Sequence, residues 1–477
     1  MQKKKIEEWA HRMDILPRDA GRFADVENTV SAIARFYGFE KIVTAPIEEV
    51  ACLQPLIKSG MLDEWPPVRC ETQTGEEFLL TPSGAIGATR AYFSHHLQDM
   101  PHPVKLFFHS QGFSQLPASS AVSGHGLSGG GESIVARDEW GVVIIGEEGA
   151  VAETGIAQVF YRATAELGIN DRSIELRLNA IGCAVCRVSY RASLGAYFRR
   201  HLSRLCTRSK RDLKRTPTKI LACAEERCRG IAALAPQVLD FLCDRCKKQL
   251  RSLLEFLDEA KIPYFLDPKF FRDGSWYTEV IFELLLERKG VAPRPPESAA
   301  GEKGAVPEAV AGEQSTTISP PASSVPPAPL GKVVLAEGGR LSHAAFLIGG
   351  KEVPVTAGIL FLETVAAALA WQEDANTAGD SLEVFFVQLG DLAKRRSFEI
   401  LESLREGEIE AKESLGRDSI KTQLKIAERL GARFAVIFGQ KEAIDGTVIV
   451  REVGSGIQET VPQEKLVDFL KKKLKKI

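Results

Sequence analysis

The chain has 477 residues, of which 44% are hydrophobic, and its formal net charge at pH 7 is −2. This length predicts two to four domains with buried cores, and the near-neutral charge excludes a protein whose whole surface binds nucleic acid. The first eight residues contain no apolar segment of the signal-peptide type, and no apolar run reaches membrane-spanning length, so we expect a cytoplasmic protein with no membrane partner. Nine cysteines in that reducing compartment favour thiols or a metal over disulfides.

The N-terminal region predicts a helix followed by a strand. Apolar residues recur at helical spacing up to Phe36, Gly38 is placed to end the helix, and the next run predicts a strand that ends at Pro46. Taken by itself, this is an ordinary helix–strand unit. Residues 78–92 then predict a strand, a turn at Pro82–Gly84 and a second helix.

Two apolar segments, residues 103–116 and 137–146, flank a loop rich in Gly and Ser at residues 123–131. Together they predict a long antiparallel hairpin. The glycines do not indicate a phosphate-binding loop, because the helix start and the Lys of a P-loop are missing.

Residues 150–290 are predicted to be mostly helical and contain seven of the nine cysteines. Cys183 and Cys186, and again Cys243 and Cys246, have Cys-x-x-Cys spacing, and two such pairs can bind zinc tetrahedrally if the fold brings them together. The alternative is a set of cytosolic thiols, because seven cysteines leave an odd count for a single four-ligand site. A basic cluster in this region suits phosphate contacts or a solvated helix face: Arg199, Arg200, Arg204, Arg208, Lys210, Arg211, Lys214 and Arg215.

The last third of the chain changes character twice. Nine of the 24 prolines fall within residues 290–330, which predicts a disordered linker. Residues 381–477 predict a compact α/β module, in which buried strands at 382–387 and 432–438 alternate with amphipathic helices.

These segments resemble class II aminoacyl-tRNA synthetases, and specifically histidyl-tRNA synthetases, over the whole chain except residues 290–330. Pro46 lies at the signature proline of motif 1, the hairpin resembles motif 2, and residues 355–365 resemble motif 3. The segments Leu178–Cys183 and Asp240–Cys246 resemble parts of the helical insertion of the bacterial enzymes. The resemblance implies an α+β fold, with a class II antiparallel-sheet core, a helical insertion and a C-terminal α/β anticodon-binding domain.

The resemblance also implies the domain boundaries. They are residues 1–165 for the first part of the core, 166–262 for the Cys-rich insertion domain, 263–289 for a core strand with a remnant of the histidine signature, 290–330 for the linker, 331–375 for the motif 3 remnant and 381–477 for the anticodon-binding domain. Motif 1 implies a homodimer. The segments at 414–425 and 430–433 closely resemble the anticodon-binding domain of the family. This implies that Arg417, Lys421 and Lys425 contact tRNA and that the partner is histidine tRNA. No DNA partner is expected.

The positions that match the ATP contacts of the family have lost their charge. Ser114 and Leu116 stand where motif 2 carries an Arg for the α-phosphate and a Glu for adenine. Thr364 stands where motif 3 carries the Arg for the γ-phosphate, and Phe361, at a glycine position, would crowd the nucleotide. ATP and Mg²⁺ binding are therefore in doubt, whereas zinc at the four cysteines stays open.

The histidine pocket is altered as well. Ser83 and Ala85 replace a Glu and a Thr that bind the α-amino group of histidine, and Val143 replaces a carboxylate. Glu139 replaces a Gln, which leaves room for a rearranged amine site.

Residues 272–283 resemble the histidine-specific signature. Arg272 matches the catalytic cation and Tyr277 a pocket aromatic, whereas the signature Asp has become Ser275.

Each lost transition-state contact typically costs ~100–1,000-fold in rate, so the resemblance implies impaired histidine activation. We therefore expect a histidyl-tRNA synthetase-like protein that binds or senses tRNA. One alternative is an active histidine–tRNA ligase with ATP contacts rebuilt from Arg272, Arg137 or Arg340. Another is a regulatory subunit of histidine biosynthesis, like the partner of ATP phosphoribosyltransferase, although that partner normally lacks the anticodon-binding domain.

Overall fold

The computed structural model describes the backbone of most of the chain. The described residues are 15–117, 126–129, 132–169, 173–223, 225–272, 275–288, 331–373, 382–414 and 419–474. The predicted linker at 290–330 and the predicted tRNA contact Arg417 lie outside these ranges. None of the helices in the described ranges is long and apolar enough to cross a membrane.

The described ranges contain both strands and helices. The strands are β1 (Glu40–Lys41), β2 (Ile47–Glu49), β3 (Arg69–Glu71), β4 (Glu77–Leu80), β5 (Val104–Pro117), β6 (Gly126–Gly129), β7 (Glu132–Ile145), β8 (Ile174–Gly182), β9 (Tyr264–Leu266), β10 (Thr278–Arg288), β11 (Gly331–Arg340), β12 (Val355–Phe361), β13 (Val384–Gln388), β14 (Ala411–Glu413), β15 (Phe434–Phe438), β16 (Thr447–Glu452) and β17 (Gln458–Pro462). The helices are α1 (Pro17–Phe36), α2 (Val50–Lys58), α3 (Gly84–Ser94), α4 (Val151–Glu166), α5 (Ala184–Arg200), α6 (Thr207–Arg215), α7 (Glu226–Ala233), α8 (Asp244–Glu259), α9 (Ser342–Gly349), α10 (Leu362–Glu373), α11 (Asp391–Glu406), α12 (Ile420–Arg429), α13 (Gln440–Asp445) and α14 (Leu466–Leu474).

The chain divides into two compact units, residues 1–375 and 376–477. The first is built on a mostly antiparallel sheet in the order β1-β5-β7-β12-β11-β10-β8-β9, with β6 paired to β7. Helices cover both faces. Buried residues of α1, α4, α8 and α10 form one core with the sheet, and those of α2, α3 and α9 form the other. This is the predicted α+β core.

The hairpin of β5 and β7 is the longest pairing in this sheet, and its register places the candidate site residues. Ser110 lies opposite Glu139, Gly112 opposite Arg137, and Ser114 opposite Val135. Residues two apart on a strand share a face, so Arg137 and Glu139 project from the same side of β7. A Cβ on Gly112 would lie 2.6 Å from Glu139 Oε1, so only glycine leaves room for that carboxylate here.

Two local expectations differ from the structure. The predicted strand up to Pro46 is only two residues long, because Glu40 and Lys41 alone pair, in parallel, with Leu106 and Phe107 of β5. Part of the predicted glycine loop, β6, is itself a strand, because its residues pair with residues 132–135 of β7. In both places long-range pairing, rather than local composition, sets the element.

The second unit has its own sheet, in the order β14-β13-β15-β16-β17. β13 pairs in parallel with β14 and β15, and the last three strands are antiparallel. Buried residues of α11, α13 and α14 pack on one face and those of α12 on the other. This is the compact α/β module that the sequence predicted.

Candidate active site and metal centre

The motif 2 position Ser114 holds a neighbouring loop in place. Its side chain is fully buried, and its hydroxyl donates to the carbonyl of Pro66 at 2.9 Å. The backbone N–H of Gln115 donates to the same carbonyl at 2.8 Å. The adjoining position Leu116 is paired with Ser133 and adds no charge. A neutral hydroxyl and an alkyl side chain therefore stand at the two predicted nucleotide positions.

Arg137 is enclosed by aromatic side chains. Its guanidinium carbon lies 3.6 Å from the ring centroid of Trp65 and 5.0 Å from that of Phe361. Its Nη2 lies 3.0 Å from Glu139 Oε1, as an ion pair. Phe361, which the sequence predicted would crowd the nucleotide, packs its ring against this arginine of the chain itself.

Glu139 caps the first turn of α3 together with Ser83. Glu139 Oε2 accepts from the Ser83 hydroxyl at 2.8 Å and from the Gly84 backbone N–H at 3.2 Å. The Ser83 oxygen accepts from the Ala85 N–H at 3.2 Å. Burial raises the pKa of Glu139 to about 7, although Arg137 and Ser83 act in the opposite direction. The predicted pocket residues Ser83, Ala85 and Glu139 thus meet in one place.

The other predicted pocket residues line the same buried region. Tyr277 is fully buried, its hydroxyl has no hydrogen-bond partner among the described residues, and burial and the charge of Glu337 raise its pKa. Val143 is fully buried between Leu106 and Ala357 on the neighbouring strands. Ser275 is buried, and its oxygen accepts from the Tyr277 N–H at 3.3 Å.

Arg272 is surrounded by three carboxylates. Its Nε lies 3.0 Å from Glu64 Oε1, its Nη1 lies 3.6 Å from Glu283 Oε1, and it also donates to Glu337. Only 19% of its side chain is exposed. Glu283 in turn contacts Arg177. Burial alone would lower the pKa of Arg272, but the three carboxylates together raise that pKa above its ordinary value and compensate the charge of the guanidinium.

Arg340 has an equally complete set of internal partners. Its Nε and Nη2 donate to the two oxygens of Glu153 at 2.8 and 2.9 Å, and Nη2 also donates to the Gly149 carbonyl at 3.2 Å. This is a bidentate ion pair in which both side chains are buried.

The end of motif 3 is also built into the core. Thr364 lies half-buried in the first turn of α10. Its neighbour Glu363 accepts from the Asp138 N–H at 2.7 Å, and burial raises the pKa of Glu363 to about 7. The predicted γ-phosphate position therefore has no charge, and the adjacent carboxyl group accepts from a backbone N–H in the middle of β7.

The two Cys-x-x-Cys pairs meet in the insertion. The sulfurs of Cys183, Cys186, Cys243 and Cys246 all lie within 4.8 Å of one another. The Cys243 N–H donates to Cys186 Sγ at 3.1 Å, and the N–H of Cys246 lowers the pKa of Cys243 to about 7. Soft thiolates in a tetrahedral set of four are the donors that structural zinc prefers, so these residues fit that metal.

The predicted tRNA-contacting groups are exposed. All eight residues of the basic cluster lie on the surface of the insertion. In the second unit, Lys421 and Lys425 are exposed on one face of α12, while Gln423 and Ala427 of the same helix are buried.

The sequence did not point to Glu64, Trp65 or Glu337, although all three contact the candidate site. Trp65 stands beside two prolines in a loop far from the other motifs, which gives no functional signal. Glu337 and Glu283 are direct partners across β10 and β11. Two carboxylates opposite each other are unfavourable without a cation between them, so a correct strand register would have revealed the place of Arg272.

Comparison with known proteins extends these observations. Residues 383–473 match the family model "Anticodon binding domain". The histidine–tRNA ligase of Moorella thermoacetica is 29% identical over 464 residues, which cover 96% of each chain. The histidine–tRNA ligase of Caldicellulosiruptor saccharolyticus is 27% identical over 467 residues, covering 97% of this chain and 98% of that one.

Solved structures show the same fold. The S. aureus histidyl-tRNA synthetase structure, in its apo form, superposes with a TM-score of 0.66 at 22% identity and covers 97% of this chain and 98% of that one. A Bacillus halodurans structure described as an ATP phosphoribosyltransferase regulatory subunit/histidyl-tRNA synthetase superposes with a TM-score of 0.55 at 15% identity, covering 89% of this chain and 96% of that one.

Proposed function

Because the chain belongs to the histidyl-tRNA synthetase family, we propose that it binds tRNA, with histidine tRNA as the expected partner, and that its activation of histidine is severely impaired. The proposal places the protein in the cytoplasm, with tRNA. The observation that supports it most is that the candidate arginines of the core already contact carboxylates of the chain itself.

Amino-acid activation requires cations that face the phosphates of ATP. Arg137, Arg272 and Arg340 are the candidate replacement cations, and each contacts a carboxylate of the chain. Around Arg272, three carboxylates would repel a polyphosphate, and removing the cation from them would leave buried charges unpaired at a cost of several kcal/mol. These contacts support impaired activation.

Support for tRNA binding comes from the second unit. It matches an anticodon-binding family over nearly its whole length, and its described lysines on α12 are exposed. The exposed basic cluster of the insertion offers a second set of phosphate contacts.

The test combines histidine-dependent exchange of pyrophosphate into ATP with a tRNA gel shift from the same preparation. We expect no exchange above background, and a shift with the histidine tRNA transcript that exceeds that with an unrelated tRNA. A variant, Arg137→Ala, is the control for contamination, because exchange from the host's own enzyme would not respond to it. Exchange that the variant lowers would overturn impaired activation, and absence of a shift would overturn tRNA binding.

A second candidate, an active ligase with rebuilt contacts, is favoured by one observation. Ser110 Oγ and the Tyr277 hydroxyl are buried and have no hydrogen-bond partner among the described residues. Buried polar atoms without partners are expensive, and a small polar ligand such as histidine would satisfy them. Histidine that raises the melting temperature without any exchange would indicate a pocket that binds its amino acid but does not activate it.

A third candidate, a regulatory subunit, is favoured by the fold shared with the Bacillus halodurans protein. The anticodon-binding domain argues for tRNA rather than for this role. A protein that shifts no tRNA but changes the rate of ATP phosphoribosyltransferase would support the regulatory candidate.

We also propose that Cys183, Cys186, Cys243 and Cys246 hold a structural zinc ion. They bring the first turn of α5 and the first turn of α8 together, because the Cys243 N–H donates to Cys186, 57 residues away in sequence. When bound, zinc would supply folding energy to the insertion rather than chemistry.

A further inference from the structure

Three cysteines outside the four-thiol centre form a second cluster in the insertion. The sulfurs of Cys206, Cys223 and Cys228 all lie within 4.8 Å of one another. Cys206 precedes α6, Cys223 follows the 3₁₀ turn Pro217–Ala222, and Cys228 is in α7. Cys206 and Cys228 are buried in the small core of the insertion, and Cys223 lies at its margin.

Backbone N–H groups are aimed at these sulfurs. The Cys206 N–H donates to Cys228 Sγ at 3.3 Å, and the Ser209 N–H donates to Cys206 Sγ at 3.3 Å. Thiols that only fill a hydrophobic core need no such donors, whereas donors beside sulfur stabilise the thiolate form that binds metals.

A fourth polar atom completes the cluster. The Ser209 hydroxyl lies 3.2 Å from Cys206 Sγ and 3.5 Å from Cys228 Sγ, and Ser209 is buried. A buried hydroxyl placed between two sulfurs adds an oxygen donor to the three thiols.

The three Cys-containing helix starts of the insertion share one local geometry. Cys183, Cys206 and Cys243 each stand immediately before the first residue of a helix. In the two starts that belong to the four-thiol centre, the residue three positions later is a second cysteine, Cys186 or Cys246, and it is buried. Ser209 has this position in the third start. It therefore occupies the place of a fourth ligand.

We propose that Cys206, Cys223 and Cys228 bind a second zinc ion, with the Ser209 oxygen at the fourth corner. Three protein ligands can hold zinc when a weaker oxygen takes the fourth position, and the filled d shell of zinc allows the tetrahedral arrangement. This goes beyond the proposed function, since metal binding here depends on neither histidine nor tRNA. It also accounts for the odd cysteine count, because seven thiols divide into a site of four and a site of three.

The site would fasten three segments that meet in the small core of the insertion. The cluster borders a cavity of about 620 Å³ that is also lined by Arg208, Lys219 and Arg227. A zinc ion would fix the wall from which these basic side chains project. The ion would be structural, and its fourth ligand would be weaker than a thiolate.

The test is the zinc content of the full chain, reconstituted with zinc under reducing conditions, freed of unbound metal and measured by mass spectrometry. We expect two zinc ions per chain in the parent protein, one in Cys223→Ser, one in the matched control Cys183→Ser, and none when both are changed. One zinc ion per chain in the parent, unaffected by Cys223→Ser, would overturn the second site.

A gain-of-function variant guards against misfolding of the serine variants. Ser209→Cys supplies the fourth thiolate, so it should still hold two zinc ions and should resist removal of one of them by a chelator at least ~10-fold better than the parent. If the chelator removes zinc equally fast from Ser209→Cys and from the parent protein, the proposed second zinc site is wrong.

Discussion

At the residue scale, the Glu139 carboxylate contacts the start of a helix on one side and an arginine on the other. The carboxylate caps the N-terminus of α3, where the helix dipole and the free N–H groups favour an acceptor. The partner Arg137, two residues away on the same strand face, is in turn held by Trp65 and Phe361. The predicted pocket residue Glu139 and the candidate cation Arg137 therefore contact each other.

We expect the stability of the protein to fall as the pH rises from about 5 to about 7.5. The pKa of Glu139 is raised to about 7 in the folded state from 4.5, so between these values the folded chain holds a proton that the unfolded chain has released. Glu139→Gln keeps the acceptor for Ser83 and Gly84 and should remove on the order of 3 kcal/mol of this pH dependence. Melting temperatures from pH 5 to pH 8 measure the effect.

Glu402→Gln is the control, because Glu402 is exposed on α11 and pairs with Arg405. It should leave the slope unchanged. Glu363 has the same raised pKa, so part of the slope remains in Glu139→Gln. A variant with the full slope of the parent would show that Glu139 is ionised in the folded protein at neutral pH.

At the scale of elements, α12 is the clearest candidate for contact with tRNA. Its buried face packs on the sheet of the second unit, so the lysines at i and i+4 are left on the open face. The packing of this helix does not require two cations there, and neither lysine forms an ion pair with another described residue.

Changing Lys421 and Lys425 together to Ala should weaken tRNA binding about tenfold and lower the salt dependence of log K by about 1.5, because two phosphate contacts are lost. Gel shifts at several salt concentrations measure both quantities. Lys412→Ala, an exposed lysine on β14 that pairs with Glu410, is the matched control. If both variants bind tRNA with the salt slope of the parent, α12 does not contact the backbone.

At the scale of the whole molecule, the region resembling motif 1 leaves apolar side chains in solvent. Phe36 is 83% exposed and Val43 79% exposed, and Ile47 is also exposed. Exposed apolar groups of this size close together in sequence indicate an interface, and motif 1 implies that a second copy of the chain covers it.

We therefore expect a dimer in light scattering after gel filtration, and a monomer for Val43→Asp, which would bury an unpaired charge in the interface. Leu234→Asp changes an equally exposed residue, 80% in solvent, in the insertion and should stay dimeric. A dimer that survives Val43→Asp would place the subunit contact elsewhere.

The order of the main elements, the hairpin, the two Cys-x-x-Cys pairs and the C-terminal module could be predicted from the sequence. Each depends on the local spacing of residues and on short motifs that resemble those of a known family. The sequence also located the neutral residues Ser114, Leu116 and Thr364. The tertiary structure alone decided what the remaining cations do. Arg272 meets Glu64 from 208 residues away and Glu337 from 65 residues away, and Ser209 meets Cys228 from 19 residues away. Such contacts depend on strand register and helix packing, which no local pattern encodes.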